Sequence, residues 1–416
     1  MPLVCHYGEI ALKRGNRDFF EKKLIENIKL SLQKTDFEME KIQRLPGRLI
    51  VRIKNEKNLT PPETQKIKET LANVFGLVNF SFAEECSQNI KTIKKTALEI
   101  LKRKLKTENW PVSFQSRGLK FKVETKRSEK NFPLNSQEIN EQVGDYLLKN
   151  FKVSYRQRNK KIGQMPIKVN LENPQLTVFI EIAGGKTFLY SEKLPGPGGL
   201  PVGVSGRAVS LISGGIDSPV ASYLAMKRGL ELVFAHFHSF PYTNQASIKK
   251  VEKLVETLKK FQTKAHLYLI PFANIQKEIF LKTLPSFRII LYRRMMLRLA
   301  EQIAQKENCQ ALLTGDNLGQ VSSQTLNNLA VIEKAITLPL LRPLLCYDKE
   351  EIIEKAKEIK TYDISILPHD DCCTRFLPTH PSTKADPVKI AKMEEKLEIN
   401  SLTKEALLKT EIIKIK

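Results

Sequence analysis

A short apolar stretch, Val209-Ser210-Leu211-Ile212, runs directly into Ser213-Gly214-Gly215-Ile216-Asp217-Ser218. Val220, Ala221, Tyr223 and Leu224 follow at the spacing of a helix's buried face. A strand that becomes a helix within six residues needs a backbone that turns sharply, and Gly214 and Gly215 supply it because they carry no Cβ. The free amides at the start of the helix then face whatever occupies the turn, and they favour an anion. Ser213 and Ser218 add hydroxyl donors. Asp217 would repel a bound phosphate unless a cation lies between them, and a magnesium ion is the economical choice. The same strand-turn pattern recurs at Leu312-Leu313-Thr314-Gly315-Asp316, with Gln324 shortly after, and Ala235-His236-Phe237-His238 closes another apolar run. In an open α/β sheet such strand ends share one edge, where ligands bind. Backbone groups at His236 and Phe237 would suit a flat base, and the Phe237 ring could pack on it.

At 416 residues the chain is expected to hold two or three domains. The sharpest break is Pro195-Gly196-Pro197-Gly198-Gly199-Leu200-Pro201-Val202-Gly203, which no helix or central strand survives. Residues 1–60 read as a compact βα-type unit. It has an apolar start at Leu3-Val4, a helix over 17–32 with Phe19, Phe20, Leu24, Ile28 and Leu32 near helical spacing, and an alternating strand over 48–53. Thr60-Pro61-Pro62 is a helix start signal. Residues 63–192 continue as mixed helices and strands, with strands over 120–125 and 176–182, and 193–206 form the linker. From 207 to 416 apolar strands alternate with helices: a strand over 208–212, a helix from Asp217, a strand over 230–237, a helix around 245–260 and a strand over 265–270. That alternation predicts an α/β domain built on a doubly wound parallel sheet.

Charge narrows the partners. The net charge is +23, and residues 91–170 alone carry 20 Lys and Arg against 7 Asp and Glu. A patch of that density suits a polyphosphate, because each phosphate neutralised releases condensed counterions. No stretch approaches the ~20 apolar residues of a membrane helix; the segment from Phe287 to Ala300 is interrupted by Arg288, Arg293, Arg294 and Arg298. The first residues lack the basic and apolar regions of a secretory leader, so a cytoplasmic location is expected. The six cysteines match neither a zinc ribbon nor a disulfide framework. The adjacent pair Cys372-Cys373, within His369-Asp370-Asp371-Cys372-Cys373-Thr374-Arg375, is the one candidate thiol site. Its neighbouring aspartates disfavour a thiolate, and His369 and Arg375 favour one.

The turn over 213–218 lacks the Gly-Lys-Ser/Thr of a Walker A loop. It is similar to the pyrophosphate-binding loop of ATP pyrophosphatases, which split ATP between its α and β phosphates. The wider chain resembles the tRNA 4-thiouridine synthetases, also called tRNA uracil 4-sulfurtransferases. Tyr7-Gly8-Glu9-Ile10-Ala11-Leu12-Lys13 with Gly15-Asn16-Arg17 resembles their N-terminal ferredoxin-like domain. Phe121-Lys122-Val123-Glu124-Thr125-Lys126-Arg127 with Phe132-Pro133-Leu134-Asn135-Ser136 resembles their RNA-binding THUMP domain. Gly198–Gly203, His236–Ser239, Thr314–Asp316, Gly319–Val321, Ser323–Leu326 and Asp371–Thr374 follow in the family's order.

This resemblance implies ferredoxin-like and THUMP (α+β) domains ahead of a PP-loop ATP pyrophosphatase domain. The basic half would grip tRNA. ATP would lie against Leu211, Ile212, Ser213, Gly214, Gly215, Ser218, His236, Phe237, Arg293, Gly315 and Gln324, with Asp217 both catalytic and the Mg2+ ligand. The C4 oxygen of uridine 8 would be adenylated, and a persulfide on Cys372 or Cys373, charged by a cysteine desulfurase, would replace AMP with sulfur. Some relatives also pass sulfur to the carrier protein ThiS for thiamine synthesis, and a homodimer is compatible with the family. Some members carry a C-terminal rhodanese domain, for which the residues after Cys373, about forty, are too few; sulfur is therefore expected directly on one of these two thiols. The alternatives are a PP-loop enzyme that transfers nitrogen, as lysidine synthetase does, and a non-enzymatic RNA-binding protein with a decayed site. Neither accounts for both the intact loop and Cys372-Cys373.

Overall fold

The computed structural model describes all residues except 55–58, 108–118, 152–153, 158–159, 165, 242–244, 369–379 and 416. The chain divides into two compact units. One comprises Met1–Arg17, Ile28–Ala72 and Gly76–Gly198, and the other Asp18–Asn27, Asn73–Phe75 and Gly199–Lys416. The passage between them at Gly198–Gly199 falls inside the Pro/Gly-rich stretch. Gly199 has φ +73°, and a Cβ there would meet the Lys227 carbonyl oxygen at 2.2 Å, so only glycine fits.

The first unit holds two five-stranded sheets. In the first, the strands lie in the order Leu194–Pro195, Leu77–Phe82, Leu3–Tyr7, Arg48–Ile53, Met39–Leu45. Leu3–Tyr7 pairs antiparallel with both Arg48–Ile53 and Leu77–Phe82. The ferredoxin-like layer thus runs past residue 60, because the strand that completes it comes only after a helix, Pro61–Leu71. That helix opens as its sequence predicts: Thr60 and Glu63 form a reciprocal capping box, with Pro61 in the first turn. Helix Arg17–Gln33 buries Leu24, Ile28 and Leu32, one turn apart, whereas Phe19 points to solvent.

In the second sheet the order is Glu84–Ser87, Lys186–Tyr190, Leu176–Ala183, Leu119–Arg127, Ile167–Val169. Strict alternation governs Leu119–Arg127: Leu119, Phe121, Val123 and Thr125 are buried, and Lys120, Lys122, Glu124 and Lys126 face outward. The buried face shares a core with Ile93, Ala97 and Leu101 of helix Ile90–Thr107 and with Ile139, Val143 and Leu147 of helix Ser136–Asn150. The opposite face carries Lys120, Lys122, Glu124 and Lys126, and at Phe188 and Tyr190 it meets Val4 and Ile50 of the first sheet.

The second unit is a six-stranded sheet in the order Leu340–Leu341, Ala311–Leu313, Arg207–Leu211, Glu231–His238, Ala265–Pro271, Glu411–Ile415. The first five strands are parallel and the last is antiparallel to its neighbour. Both faces are apolar by alternation. Val209, Val233, Ala235 and Phe237 join one core with helix Arg288–Lys306. Ala208, Leu232 and Phe234 join the other with helices Asp217–Lys227, Ala246–Leu258 and Lys349–Glu358. This is the doubly wound sheet that the strand-helix alternation predicts, with an antiparallel edge strand added.

One polar cluster ties the two sheets of the first unit together. Glu181, buried, accepts hydrogen bonds from Arg48 and from the Tyr190 hydroxyl, and lies 2.9 Å from His6 Nε2. Burial alone would raise its pKa, but His6, Arg48 and Tyr190 together hold it down at about 2. An unfolded glutamate titrates near 4.3. The folded value is the lower one, so the ionised form stabilises the protein above about pH 4, and this contribution, roughly 3 kcal/mol, is lost as pH falls toward 2. Arg48→Met should therefore cost about 3 kcal/mol at neutral pH by stranding the Glu181 anion. The cost should shrink in urea titrations run below pH 3; an equal loss at both pH values would mean that packing, not charge, holds the cluster.

Candidate functional site

In the six-stranded sheet of the second unit the chain proceeds from Arg207–Leu211 toward Glu231–His238 on one side and later places Ala311–Leu313 on the other. The gap above the carboxyl ends of Arg207–Leu211 and Ala311–Leu313 is the topological switch point, where a doubly wound sheet leaves a crevice. The loop at 212–217 and the turn at 314–320 both lie there.

The first loop closes on itself. Ser213 N donates to Ser218 Oγ at 2.9 Å, the two serine hydroxyls lie 3.2 Å apart, and Gly215 N reaches Ser213 Oγ at 3.3 Å. Ser218 is buried and its hydroxyl is engaged in holding the loop, so it braces the turn; Ser213 is exposed at the mouth. Beneath them the Ser210 and Ser222 hydroxyls are 2.8 Å apart, and Ser222 Oγ donates to Ser218 O at 2.8 Å, fastening the helix to the strand before it. The second turn comes in close. A Cβ on Gly315 would lie 2.7 Å from Ser218 N and 3.0 Å from Asp217 C. Any side chain at 315 would push the two loops apart.

Asp217 faces a lysine that the sequence did not single out. Lys349 Nζ lies 2.5 Å from its Oδ1, and Gln320 Nε2 donates to its Oδ2 at 3.2 Å. Lys349 opens helix Lys349–Glu358, which Asp348 caps through a reciprocal box with Glu351. The Asp-x-x-Glu signature marks the helix start in the sequence, but nothing local marks its position 132 residues along the chain, against the loop. The pair sets an acceptor and a cation side by side at the mouth.

Arg293 is tied inward. It is ion-paired with buried Asp316, which also receives Thr314 Oγ1 at 2.9 Å and Arg342 Nε at 3.3 Å. Burial would raise the Asp316 pKa, yet Arg293, Thr314 and Arg342 hold it below the usual carboxylate range. Arg293 Nη1 also reaches Ser323 Oγ at 3.4 Å, in the short helical turn that ends with Gln324. The Gln324 Oε1 is buried and accepts no hydrogen bond among the described residues, which leaves it as an acceptor for a bound donor.

Ile212 is buried, and its carbonyl lies 3.0 Å from His236 Nδ1 across the strand ends. Phe237 is 5% exposed and meets Phe272 edge-on at 5.5 Å, so its ring belongs to the core and only its backbone is available to a ligand. Leu211 packs against the same core. The structure thus brings Leu211, Ile212, Ser213, Gly214, Gly215, Asp217, Ser218, His236, Phe237, Arg293, Gly315 and Gln324 to one edge of one sheet. Cys372 and Cys373 lie outside the described residues. Among the described cysteines Cys5, Cys86 and Cys309 are at least partly covered, and Cys346 is exposed. Among the described residues no group of three or more His, Cys, Asp or Glu side chains is placed to hold a metal, and no helix is long and apolar enough to cross a membrane.

A Gly-rich turn between the first strand and helix of a doubly wound domain, opening on the switch point, defines a nucleotide-binding α/β enzyme. Family models match along the chain: the ThiI ferredoxin-like domain over residues 3–81, the THUMP domain over 87–192, and thiamine biosynthesis protein (ThiI) over 203–399. The probable tRNA sulfurtransferase of Moorella thermoacetica is 41% identical over 413 residues, covering 99% of this chain and 97% of its own length. That of Coxiella burnetii is 40% identical over 419 residues, covering 100% and 99%. A crystal structure of a 4-thiouridine synthetase–RNA complex with bound ATP superposes with a TM-score of 0.85 at 35% identity, covering 100% of this chain and 99% of that one. The chain therefore belongs to the ThiI family of tRNA sulfurtransferases, and it is a sulfurtransferase. This sets aside both the nitrogen-transferring and the non-enzymatic alternatives.

Gly315→Ala should open the loop locally by about 1–3 kcal/mol, within the usual range for a strained backbone site. Hydrogen exchange at the amides of 213–218 should then quicken roughly tenfold or more, with exchange in the first unit unchanged. Unaltered protection at 213–218 would show that the close approach of the two turns is not what orders the loop.

Proposed function

We propose that this enzyme converts uridine 8 of tRNA to 4-thiouridine, in two steps at the sheet edge described above. The observation that carries the reading is the loop at 213–218 with Asp217 and Lys349 paired at its mouth, in a chain similar over its full length to a 4-thiouridine synthetase solved with RNA and ATP.

ATP is the first substrate. The amides at the start of helix Asp217–Lys227 face its phosphates, Lys349 offsets their charge, and the backbone at Ile212, His236 and Phe237 with Gln324 Oε1 receives the base. One carboxylate at the loop is a sparse donor set. It suits a hard ion such as Mg2+, which takes one or two carboxylates and completes its shell with phosphate oxygens and water. Bound there through Asp217, Mg2+ would supply neutralisation of the departing pyrophosphate. In the first step the C4 oxygen of the uridine attacks the α-phosphorus, the bond to the β-phosphate bridge breaks, and pyrophosphate leaves. In the second the terminal sulfur of a persulfide on Cys372 or Cys373 attacks C4, and AMP leaves with the bonding electrons. A further thiol then attacks the cysteine sulfur of the remaining S–S bond, which releases the thiocarbonyl and leaves a disulfide on the protein side, to be reduced by external thiol. The persulfide comes from a cysteine desulfurase.

The basic face of the second sheet, with Lys120, Lys122 and Lys126 outward, supports tRNA binding by the first unit. The thiamine description of the matching family model supports a second use, sulfur delivery to a carrier protein such as ThiS.

Asp217→Ala should retain tRNA binding and lower 4-thiouridine formation by about 100-fold or more, the size of effect expected when charge stabilisation at a transferring group is lost; normal thiolation by that variant would refute the assignment of the loop. Cys372→Ser and Cys373→Ser should differ in single-turnover thiolation, and two normal variants would reject the persulfide step. Lys122→Glu combined with Lys126→Glu should weaken tRNA binding and reduce the slope of log affinity against log salt by roughly 1 to 2. An unchanged slope in filter binding from low to high salt would remove this face from the interface.

A further inference from the structure

Helix Ala246–Leu258 buries one stripe: Ser247, Lys250, Val251, Leu254, Val255 and Leu258. Lys250 is the anomaly in that stripe. It is 4% exposed, and a charged group is rarely taken out of water unless it gains strong hydrogen bonds in return. Its Nζ donates to Ser365 O at 2.6 Å and to Leu367 O at 2.8 Å. Ser365 ends the short helix Tyr362–Ser365, so these carbonyls lie where a helix runs out of its own amide donors. A lysine at that end satisfies them and complements the helix dipole. The Ser365 hydroxyl in turn donates to Gly215 O, in the nucleotide loop, at 3.3 Å. Tyr362 and Ile364 pack against the same core as Ile216 of that loop.

We propose that Lys250 is a positioning residue for sulfur transfer: through Ser365 and Leu367 it fixes, against the nucleotide loop, the root of the chain segment that carries Cys372 and Cys373. The inference rests on the persulfide reading above. Cys372 follows Leu367 by five residues, a reach of at most ~18 Å of extended chain, so the position of the root limits where either thiol can arrive. Attack at C4 requires the sulfur within about 3–3.5 Å, and a displacement of ~1 Å is enough to cost about 100-fold. Adenylation does not use the thiols and does not need this anchor.

The test separates the two half-reactions in the full-length protein. Lys250→Met keeps the hydrocarbon stem and removes the donor. Sulfur is offered either as persulfide on a charged cysteine desulfurase or as inorganic sulfide, which as hydrosulfide displaces AMP from the adenylated base without any enzyme thiol. Lys250→Met should release pyrophosphate with tRNA within about twofold of the unmodified enzyme and thiolate from sulfide at a similar rate, but thiolate from persulfide about 100-fold more slowly. Lys250→Gln, which retains an amide donor, should fall between and serves where the methionine variant does not fold. Persulfide-driven thiolation at the normal rate would overturn the proposal. So would a parallel fall in pyrophosphate release, which would make Lys250 a general support of the domain. The combined Cys372→Ser, Cys373→Ser variant is the control: if it still thiolates from persulfide, the persulfide reading itself fails, whatever Lys250 does.

Discussion

The contact on which the site depends is one of backbone against backbone. Gly315 lies against Asp217 and Ser218 with no room for a methyl group, and this brings the turns after two neighbouring parallel strands into a single rim. Each turn alone is an ordinary strand end. Joined, they place the first amides of helix Asp217–Lys227, the Asp217 carboxylate and the residues from Thr314 to Gln324 around one crevice. The doubly wound topology makes the crevice, because the chain leaves Arg207–Leu211 in one direction and returns on the other side. The missing side chain at 315 sets its width.

Much of this was legible in the sequence wherever the signal is local. The short apolar run over 208–212, followed at once by a helix, reads as a strand covered on both faces. The Thr60–Glu63 box and the turn at 213–218 carry their geometry in a few adjacent residues. What was not legible is what depends on pairing across the chain. Leu77–Phe82 belongs with Leu3–Tyr7 through a ladder that no local pattern encodes, so the first layer extends beyond residue 60. Phe19 stands beside the i, i+4 series of Phe20, Leu24, Ile28 and Leu32 and off that stripe, and its ring is exposed. The antiparallel strand Glu411–Ile415 has no partner in sequence nearer than Ala265–Pro271.

The same limit hid most of the charge chemistry. The sequence marks Asp217 as a carboxylate in an awkward place; the fold resolves the awkwardness by setting Lys349 beside it. Arg293 reads as one of several arginines along an amphipathic helix, and only the fold joins it to Asp316, Thr314 and Arg342 in a buried cluster. Lys250, like Arg294, lies on the apolar stripe of its helix, a buried charge whose oddity the spacing alone could have exposed. In each case the partner is more than twenty residues away or on another element, and coupling at that range is a property of topology.

The Glu181 cluster bears on how separable the two sheets of the first unit are. His6 and Arg48 come from one sheet, Glu181 and Tyr190 from the other, and each half without its counterpart exposes an unmatched charge to a nonpolar setting. Ferredoxin-like and THUMP layers look like interchangeable modules on a linear map. Here they are not: a graft that replaced either layer would have to import the complementary ionic set with it. The seam acts as a lock-and-key for recombination, and the two layers constitute a single inheritable part.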